Sequence, residues 1–212
     1  KSVGESGTYD YIISSHNFEH LPDPIRFLRA CGEVLAPGGY LSMAVPDKRR
    51  TFDYVRAVSR SSDLLRSYYE KKTQPSPYDL FDGWKAVDNI PPQKIESVKN
   101  PRWYNSLDEK FASFNYALAN KTEYEDCHVT VYTPESFKAI MLELIRLDLI
   151  PFQLVEIRPS LSHEFYVHLK NVGYGHASRA NITDAVLLDA YVAGFGLDAD
   201  MTILTKVKAT GK

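Results

Sequence analysis

Two short polar clusters carry most of the residues in this chain that could do chemistry. The first is His16-Asn17-Phe18-Glu19-His20 and the second is Asp47-Lys48-Arg49-Arg50. An unperturbed histidine titrates near neutrality, so it can take a proton from a reacting hydroxyl. Lysine and arginine side by side suit an anionic partner, although such a run also serves as an ordinary solvated face. His16-x-x-Glu19-His20 has in addition the spacing of the inverted zinc-peptidase motif. That chemistry needs one continuous helix to bring both histidines to a metal. Pro22 and Pro24 follow at once and push the chain out of the helical region. A zinc peptidase is therefore a minor alternative.

The elements that flank the clusters decide whether they can meet. Tyr9-Asp10-Tyr11-Ile12-Ile13-Ser14 follows a Gly/Ser stretch and is rich in β-branched and aromatic residues, which predicts a strand. Asp23-Pro24 offers a helix cap with proline in the first turn, and Ile25, Leu28, Cys31 and Leu35 form an apolar stripe at helical spacing. Pro37-Gly38-Gly39 is the expected stop, and Tyr40–Val45 the next strand, closed by Pro46. Strand, helix, strand with short connections predicts two parallel strands. Ser15 and Asp47 should then lie at the same end of adjacent strands. Open α/β sheets bind ligands at that rim, so both clusters should face one crevice.

Composition bounds the rest. With 212 residues the chain can bury a real core, and one domain is expected. Lys plus Arg is 25 and Asp plus Glu is 27, a net charge of −2, which argues against a nucleic-acid binder. The two cysteines, Cys31 and Cys127, exclude a disulfide scaffold and a four-cysteine zinc site. No apolar run is long enough for a membrane span. No secretory signal pattern is visible, so a cytoplasmic protein is expected.

Residues 47–128 read as a mainly helical insertion, polar, Tyr-rich and proline-punctuated, with helical pieces at Phe52–Tyr69 and Leu107–Ala119. Thr133-Pro134-Glu135 caps a further amphipathic helix carrying Phe137, Ile140, Met141, Leu144 and Ile145. Phe152–Arg158 and Glu164–Lys170 read as an antiparallel strand pair. The remainder, residues 171–212, is an extension of no assigned role. It holds a helix-like stretch at Asp184–Ala193, a strand-like one at Met201–Val207, and the pairs Gly173-x-Gly175 and Gly194-x-Gly196.

The ordered set Tyr9–Ile13, Phe18-Glu19-His20-Leu21-Pro22-Asp23-Pro24 and Val34-Leu35-Ala36-Pro37-Gly38-Gly39-Tyr40-Leu41 resembles class I S-adenosylmethionine-dependent methyltransferases. It matches the stretch from their fourth strand through their fifth. Val45–Asp53 and His128–Phe137 are similar to a bacterial subgroup, of the type 11 kind, associated with glycans and the cell envelope. The resemblance covers about Tyr9 to Lys170. It implies an α/β fold, a partial Rossmann-like sheet of parallel strands with a C-terminal antiparallel pair. It also implies that the family's glycine-rich loop and ribose-binding acid lie upstream of Tyr9, so residues 1–170 are expected to be a methyltransferase domain without its N-terminal cofactor half.

The implied activity is methyl transfer from S-adenosylmethionine to an oxygen, or a nitrogen, of a polar acceptor that contains sugar. Ser14, Ser15 and His16 are the implied cofactor contacts, and His16 or His20 the implied base. Glu19, Asp47, Lys48, Arg49, Arg50 and His128 are the implied acceptor side. Glu19 and His20 are expected to brace their loop by hydrogen bonds and no metal is expected, although some relatives hold a divalent ion with this pair and a neighbouring acid or histidine. The partner is a small molecule or glycan, and the open strand edge favours self-association. The alternative is an inactive remnant that binds glycan or serves as a scaffold, with Trp84, Trp103 and Tyr104 as stacking surfaces.

Overall fold

The structure, a computed structural model, describes residues 6–83, 106–120, 124–159 and 162–195. Its frame is a four-stranded sheet, β1 (Tyr9–Ser15), β2 (Leu35–Pro46), β3 (Phe152–Pro159) and β4 (Glu164–Asn171), in the order β1-β2-β4-β3. β1 and β2 are parallel, while β4 runs antiparallel to both β2 and β3. Helix α1 (Pro24–Val34) is the crossover between the parallel pair. Asp23 caps it as expected, accepting a hydrogen bond from the Arg26 amide at 3.0 Å.

Pro37-Gly38-Gly39 does not stop the helix. α1 ends at Val34, and the Pro-Gly-Gly run lies inside β2 as a bulge, because Tyr9 pairs with Leu35 but Tyr11 pairs with Tyr40. Gly38 takes the left-handed φ of +84° that this bulge needs. A Cβ on Gly39 would meet the carbonyl oxygens of Tyr9, Asp10 and Ala36 at 3.0–3.1 Å.

α2 (Ser61–Tyr69) is shorter than the Phe52–Tyr69 expected; residues 52–60 form turns around a buried ion pair instead. α3 (Pro77–Gly83) was not expected, and α4 (Leu107–Ala119) has the expected bounds, fixed by the reciprocal Ser106–Glu109 cap. α5 (Pro134–Arg146) starts at Thr133, whose hydroxyl accepts from the Ser136 amide at 3.1 Å. α6 (Asp184–Phe195) packs along α5, and a Cβ on Gly194 would lie 2.8 Å from the Glu135 oxygen, so close approach requires glycine there.

The strands alternate. Leu41, Met43 and Val45 of β2 and Phe165, Val167 and Leu169 of β4 are buried in one core with Ile25, Leu28, Phe137, Ile140 and Leu144. Tyr11 and Ile13 of β1 lie exposed on the opposite face beside Tyr40 and Ser42. Trp84, Trp103, Tyr104, Gly196 and the stretch 201–207 lie outside the described residues.

Candidate functional site

Ser15 pairs with Ala44, and the His16 amide donates to the Ala44 carbonyl at 3.1 Å. Asp47 follows three residues after Ala44, so both strands end on one rim, as the crossover predicts. His16 then leaves the strand in the left-handed region, φ +47°, a conformation that costs a non-glycine residue about 1 kcal/mol. The chain turns into a single 3-10 turn, Phe18–His20, and is extended by Leu21. No helix runs through His16–His20, and that geometry removes the zinc-peptidase reading.

Phe18 locks this loop to the core. It is 1% exposed, with its ring centroid 5.5 Å from Phe137, 5.9 Å from Tyr132 and 6.1 Å from Phe27. On the other side, the Glu19 carbonyl accepts from the amides of Val129 and Thr130 at 2.8 and 3.1 Å. The loop is therefore braced by main chain. The expected bracing by Glu19 and His20 thus runs through the Glu19 carbonyl and the His20–Asp126 contact, while the Glu19 carboxylate is buried and neither of its oxygens has a hydrogen-bond partner.

Histidines surround that carboxylate. His16 Nδ1 lies 3.6 Å and His20 Nε2 3.8 Å from Glu19 Oε1. Each of three histidines has its other contact with a separate acid. His16 Nε2 is 2.7 Å from Glu164, His20 Nδ1 is 3.0 Å from Asp126, and His128 Nδ1 is 2.6 Å from Asp53. The His20 and His128 rings stand perpendicular with centroids 4.6 Å apart, and the exposed Phe52 ring lies 4.8 Å from His128.

Glu19, His20 and His128 each offer one ligand atom, all within 4.8 Å of one another; His16, His163 and Glu164 form a second such group. A buried, unpartnered carboxylate is costly unless a cation compensates it. Two imidazoles and a carboxylate suit a divalent transition metal. The first group fits such an ion.

The second cluster is arranged differently. Asp47 is buried, caps the Lys48–Arg50 turn, and receives Nε and Nη2 of Arg49 at 3.0 and 2.7 Å. Arg49 also reaches Glu135 at 3.4 Å. Asp47 and Arg49 thus hold each other and the start of α5, and Lys48 is partly buried near Asp53 and Asp47. Burial pushes its ammonium pKa down, against the opposing pull of Asp53 and Asp47. Ser14 is buried and accepts from the Asn17 amide side chain at 3.3 Å, whereas Ser15 and His16 are exposed on the rim. Gly173 and Gly175 follow β4, which runs antiparallel to β2 and finishes at the other end of the strands from Asp47, so neither glycine serves this rim.

Four residues of the site carry no sequence signal that names them. Asp53 and Arg56 form a buried ion pair at 2.7 Å, and Glu164 joins His16 to the Tyr166 hydroxyl at 2.6 Å. Phe52 supplies the exposed ring. For Asp53, burial raises the carboxyl, but the His128 hydrogen bond and the Arg56 charge outweigh it and hold the pKa below the ordinary value.

Glu164 is likewise held below the ordinary carboxylate value, first by the Tyr166 hydroxyl and then by His16. A depressed carboxyl stabilises the fold above its unfolded pKa and loses that contribution as pH falls through its folded one. Urea midpoints of the native protein should therefore drop below about pH 4.5 more steeply than those of Glu164→Gln. Parallel curves for the two proteins would contradict the pairing.

A methyltransferase-domain family model matches residues 3–144. Ubiquinone biosynthesis O-methyltransferase of Ruegeria pomeroyi is 26% identical over 126 residues, 57% of this chain and 50% of the relative. The enzyme of the same name from Ralstonia nicotianae is 26% identical over 128 residues, 55% of this chain and 50% of that one. The chain thus spans about half the length of the curated relatives it matches. Among solved structures, an S-adenosylmethionine-dependent methyltransferase from Mesorhizobium loti is similar at 10% identity and a TM-score of 0.37, covering 80% of this chain and 65% of that one. A matched segment that takes in β1, α1, β2, the excursion after it and most of α5 is well over half of the sequence, and the chain belongs to the methyltransferase-domain family.

Proposed function

We propose that the protein transfers a methyl group from S-adenosylmethionine to an oxygen, with nitrogen the second choice, of a small polar acceptor rich in hydroxyls. The observation that carries this reading is the shared rim. β1 and β2 end together, and His16, oriented by Glu164, stands where they end. The curated relatives are O-methyltransferases, which supports an oxygen acceptor. The exposed Phe52 ring beside His128 supports a sugar-like one, since an aromatic face packs well on a sugar ring.

In this reading Ser14, Ser15 and His16 lie at the methionine end of the cofactor. The acceptor oxygen attacks the methyl carbon, the carbon–sulfur bond breaks with its electrons going to sulfur, and the hydroxyl proton passes to His16. Glu164 on Nε2 leaves the lone pair on Nδ1 for that proton. Lys48 meets an anionic group on the acceptor, and Arg50 flanks it. Most of the rate comes from holding oxygen and methyl in line. Glu19, His20 and His128 would hold a divalent ion, which would supply Lewis-acid stabilisation of negative charge developing on an acceptor oxygen.

The same reading makes residues 1–170 part of a methyltransferase domain. The exposed Tyr11 and Ile13 face and the β1 edge are where further sheet and helices, or a second copy, would pack. Free thiols at Cys31 and Cys127 suit the reducing cytoplasm proposed for it, and among the described residues no helix is long and apolar enough to cross a membrane.

The test is transfer of tritium from methyl-labelled S-adenosylmethionine to a panel of polyhydroxylated acceptors with and without an anionic group. His16→Gln should lower kcat about a hundredfold with acceptor KM within about threefold, as expected for loss of a general base. Lys48→Ala should instead raise KM for the anionic acceptors about tenfold. Absence of label from every acceptor overturns the proposal.

A further inference from the structure

The connection from α2 to α3 is a stiff segment. Lys71 ends α2 in the left-handed region, φ +54°, and the Lys72 amide returns to the Ser67 carbonyl at 3.0 Å. Ser76 and Asp79 then cap each other at the start of α3, between Pro75 and Pro77, whose fixed φ leaves the backbone little freedom. Across from it are the last turn of α4, where the Asn120 side-chain amide donates to the Tyr116 carbonyl at 2.9 Å, and the pair Tyr124-Glu125. These pieces enclose a cavity of about 530 Å³. Ligand clefts run from roughly 300 to 1,000 Å³, so a small ring or two fits.

The lining names the kind of ring. Pro75, Pro77 and Leu80 supply an apolar wall, and Tyr116 and Tyr124 supply two exposed aromatic rings. Such faces pack on the C–H side of a sugar. Lys72 is engaged by Asp79 at 3.8 Å, whereas the Lys71 ammonium has no ion-pair or hydrogen-bond partner among the described residues. Glu125 is an acceptor for ring hydroxyls. A neutral ring leaves Lys71 unmatched, and a polyanion is repelled by Glu125. One carboxylate on a hydroxylated ring satisfies both.

Tyr124 ties the cavity to the rim. Its hydroxyl donates to Asp126 Oδ1 at 3.3 Å, and the same oxygen meets His20 Nδ1 at 3.0 Å. A single carboxylate therefore stands between the cavity lining and the loop that follows β1.

We propose that this cavity binds a uronic acid unit of the acceptor, a unit other than the one that is methylated, with Lys71 on its carboxylate and Tyr116 and Tyr124 on its ring. The inference rests on the methyl-transfer reading only for calling the ligand an acceptor; the binding needs no cofactor. Holding a remote unit is one way to bring a reacting hydroxyl into line with the methyl group.

Digalacturonate is the probe, read by saturation-transfer difference NMR without cofactor. Native protein should saturate its ring protons, and lactose, which is neutral, should bind at least about tenfold more weakly. Lys71→Ala should weaken digalacturonate binding about tenfold or more, and Lys71→Arg should restore most of it. Tyr124→Ala should weaken both sugars. Lys71 and Tyr124 are exposed, and circular dichroism checks that each variant folds. A second measurement follows the link to the rim. In protein labelled with ¹⁵N histidine, digalacturonate should shift the Nδ1 resonance of His20 and leave His168 in place, and Tyr124→Phe should abolish the shift while retaining most of the binding. No saturation at about 10 mM digalacturonate, lactose bound as well as digalacturonate, or binding unchanged in both Lys71→Ala and Tyr124→Ala overturns the proposal. So does saturation of benzoate in its place, which would make the cavity a site for aromatic acids. Each of those results leaves the tritium test untouched. Binding of digalacturonate with no methyl transfer to any acceptor keeps the cavity as a uronide site and sinks the methyl-transfer reading alone.

Discussion

Phe137→Ala should destabilise the fold by about 3–5 kcal/mol, read as the urea midpoint at constant slope. Phe137 is fully buried, and its ring meets three others, Tyr132 at 5.0 Å, Phe18 at 5.5 Å and Phe165 at 5.5 Å. Those neighbours come from different parts of the chain, the rim loop, the segment before α5 and β4. Truncation removes the transfer energy of the ring and leaves a void that three rigid aromatics cannot close by rotating. For a chain of this size the loss should lower the melting temperature by roughly 10 °C. The effect should also reach the site, because Phe18 holds Glu19 and His20 in place. A loss below about 1 kcal/mol would mean that the aromatic cluster does not exist as described.

Arg56→Met should cost a comparable amount, about 3–5 kcal/mol, for an electrostatic reason. Arg56 and Asp53 bury each other, and removing the guanidinium leaves a desolvated carboxylate with His128 as its remaining side-chain partner. The companion variant separates this from packing. Replacing both residues at once, Arg56→Met with Asp53→Leu, should recover most of the stability, because a buried ion pair is roughly balanced against apolar residues of similar size. It should not recover the orientation of His128, which has then lost its acceptor. If the single variant is as stable as the native protein, Asp53 is not ionised in the fold.

The parts of the fold that could be read in the sequence are those that local chemistry decides. Ser106–Glu109 and Thr133–Ser136 mark α4 and α5 because each cap is closed within four residues. The same signal was present for α3, where Ser76 and Asp79 cap each other, but prolines at 75 and 77 hid it. Pro37-Gly38-Gly39 was misread because proline and glycine signal a break, whereas a bulge inside a paired strand needs them as much. The rim itself was legible, since a βαβ unit forces both polar clusters to one end. What completes the site was not. His128 finds Asp53 across 75 positions, and Glu164 finds His16 across 148. Only the packed sheet brings them together. Arg49 shows the converse: a charge that looks available in a run is committed to Asp47, two residues away.

The excursion after β2 departs and returns at one place. Asp47 and Tyr132 bridge each other, and the Lys48 amide donates to the Tyr132 carbonyl at 2.9 Å. A segment whose two ends already touch pays little for its length, since closure entropy grows only with the logarithm of the loop. Evolution can therefore lengthen, shorten or exchange it without disturbing the register of the sheet. In the proposed methyl-transfer reading, the strand ends would face the methyl donor and the excursion would complete the acceptor side, which makes the two separable units of inheritance. On that reading, related chains could share the first and differ in the second, and a change of acceptor would fall mostly between residues 48 and 131.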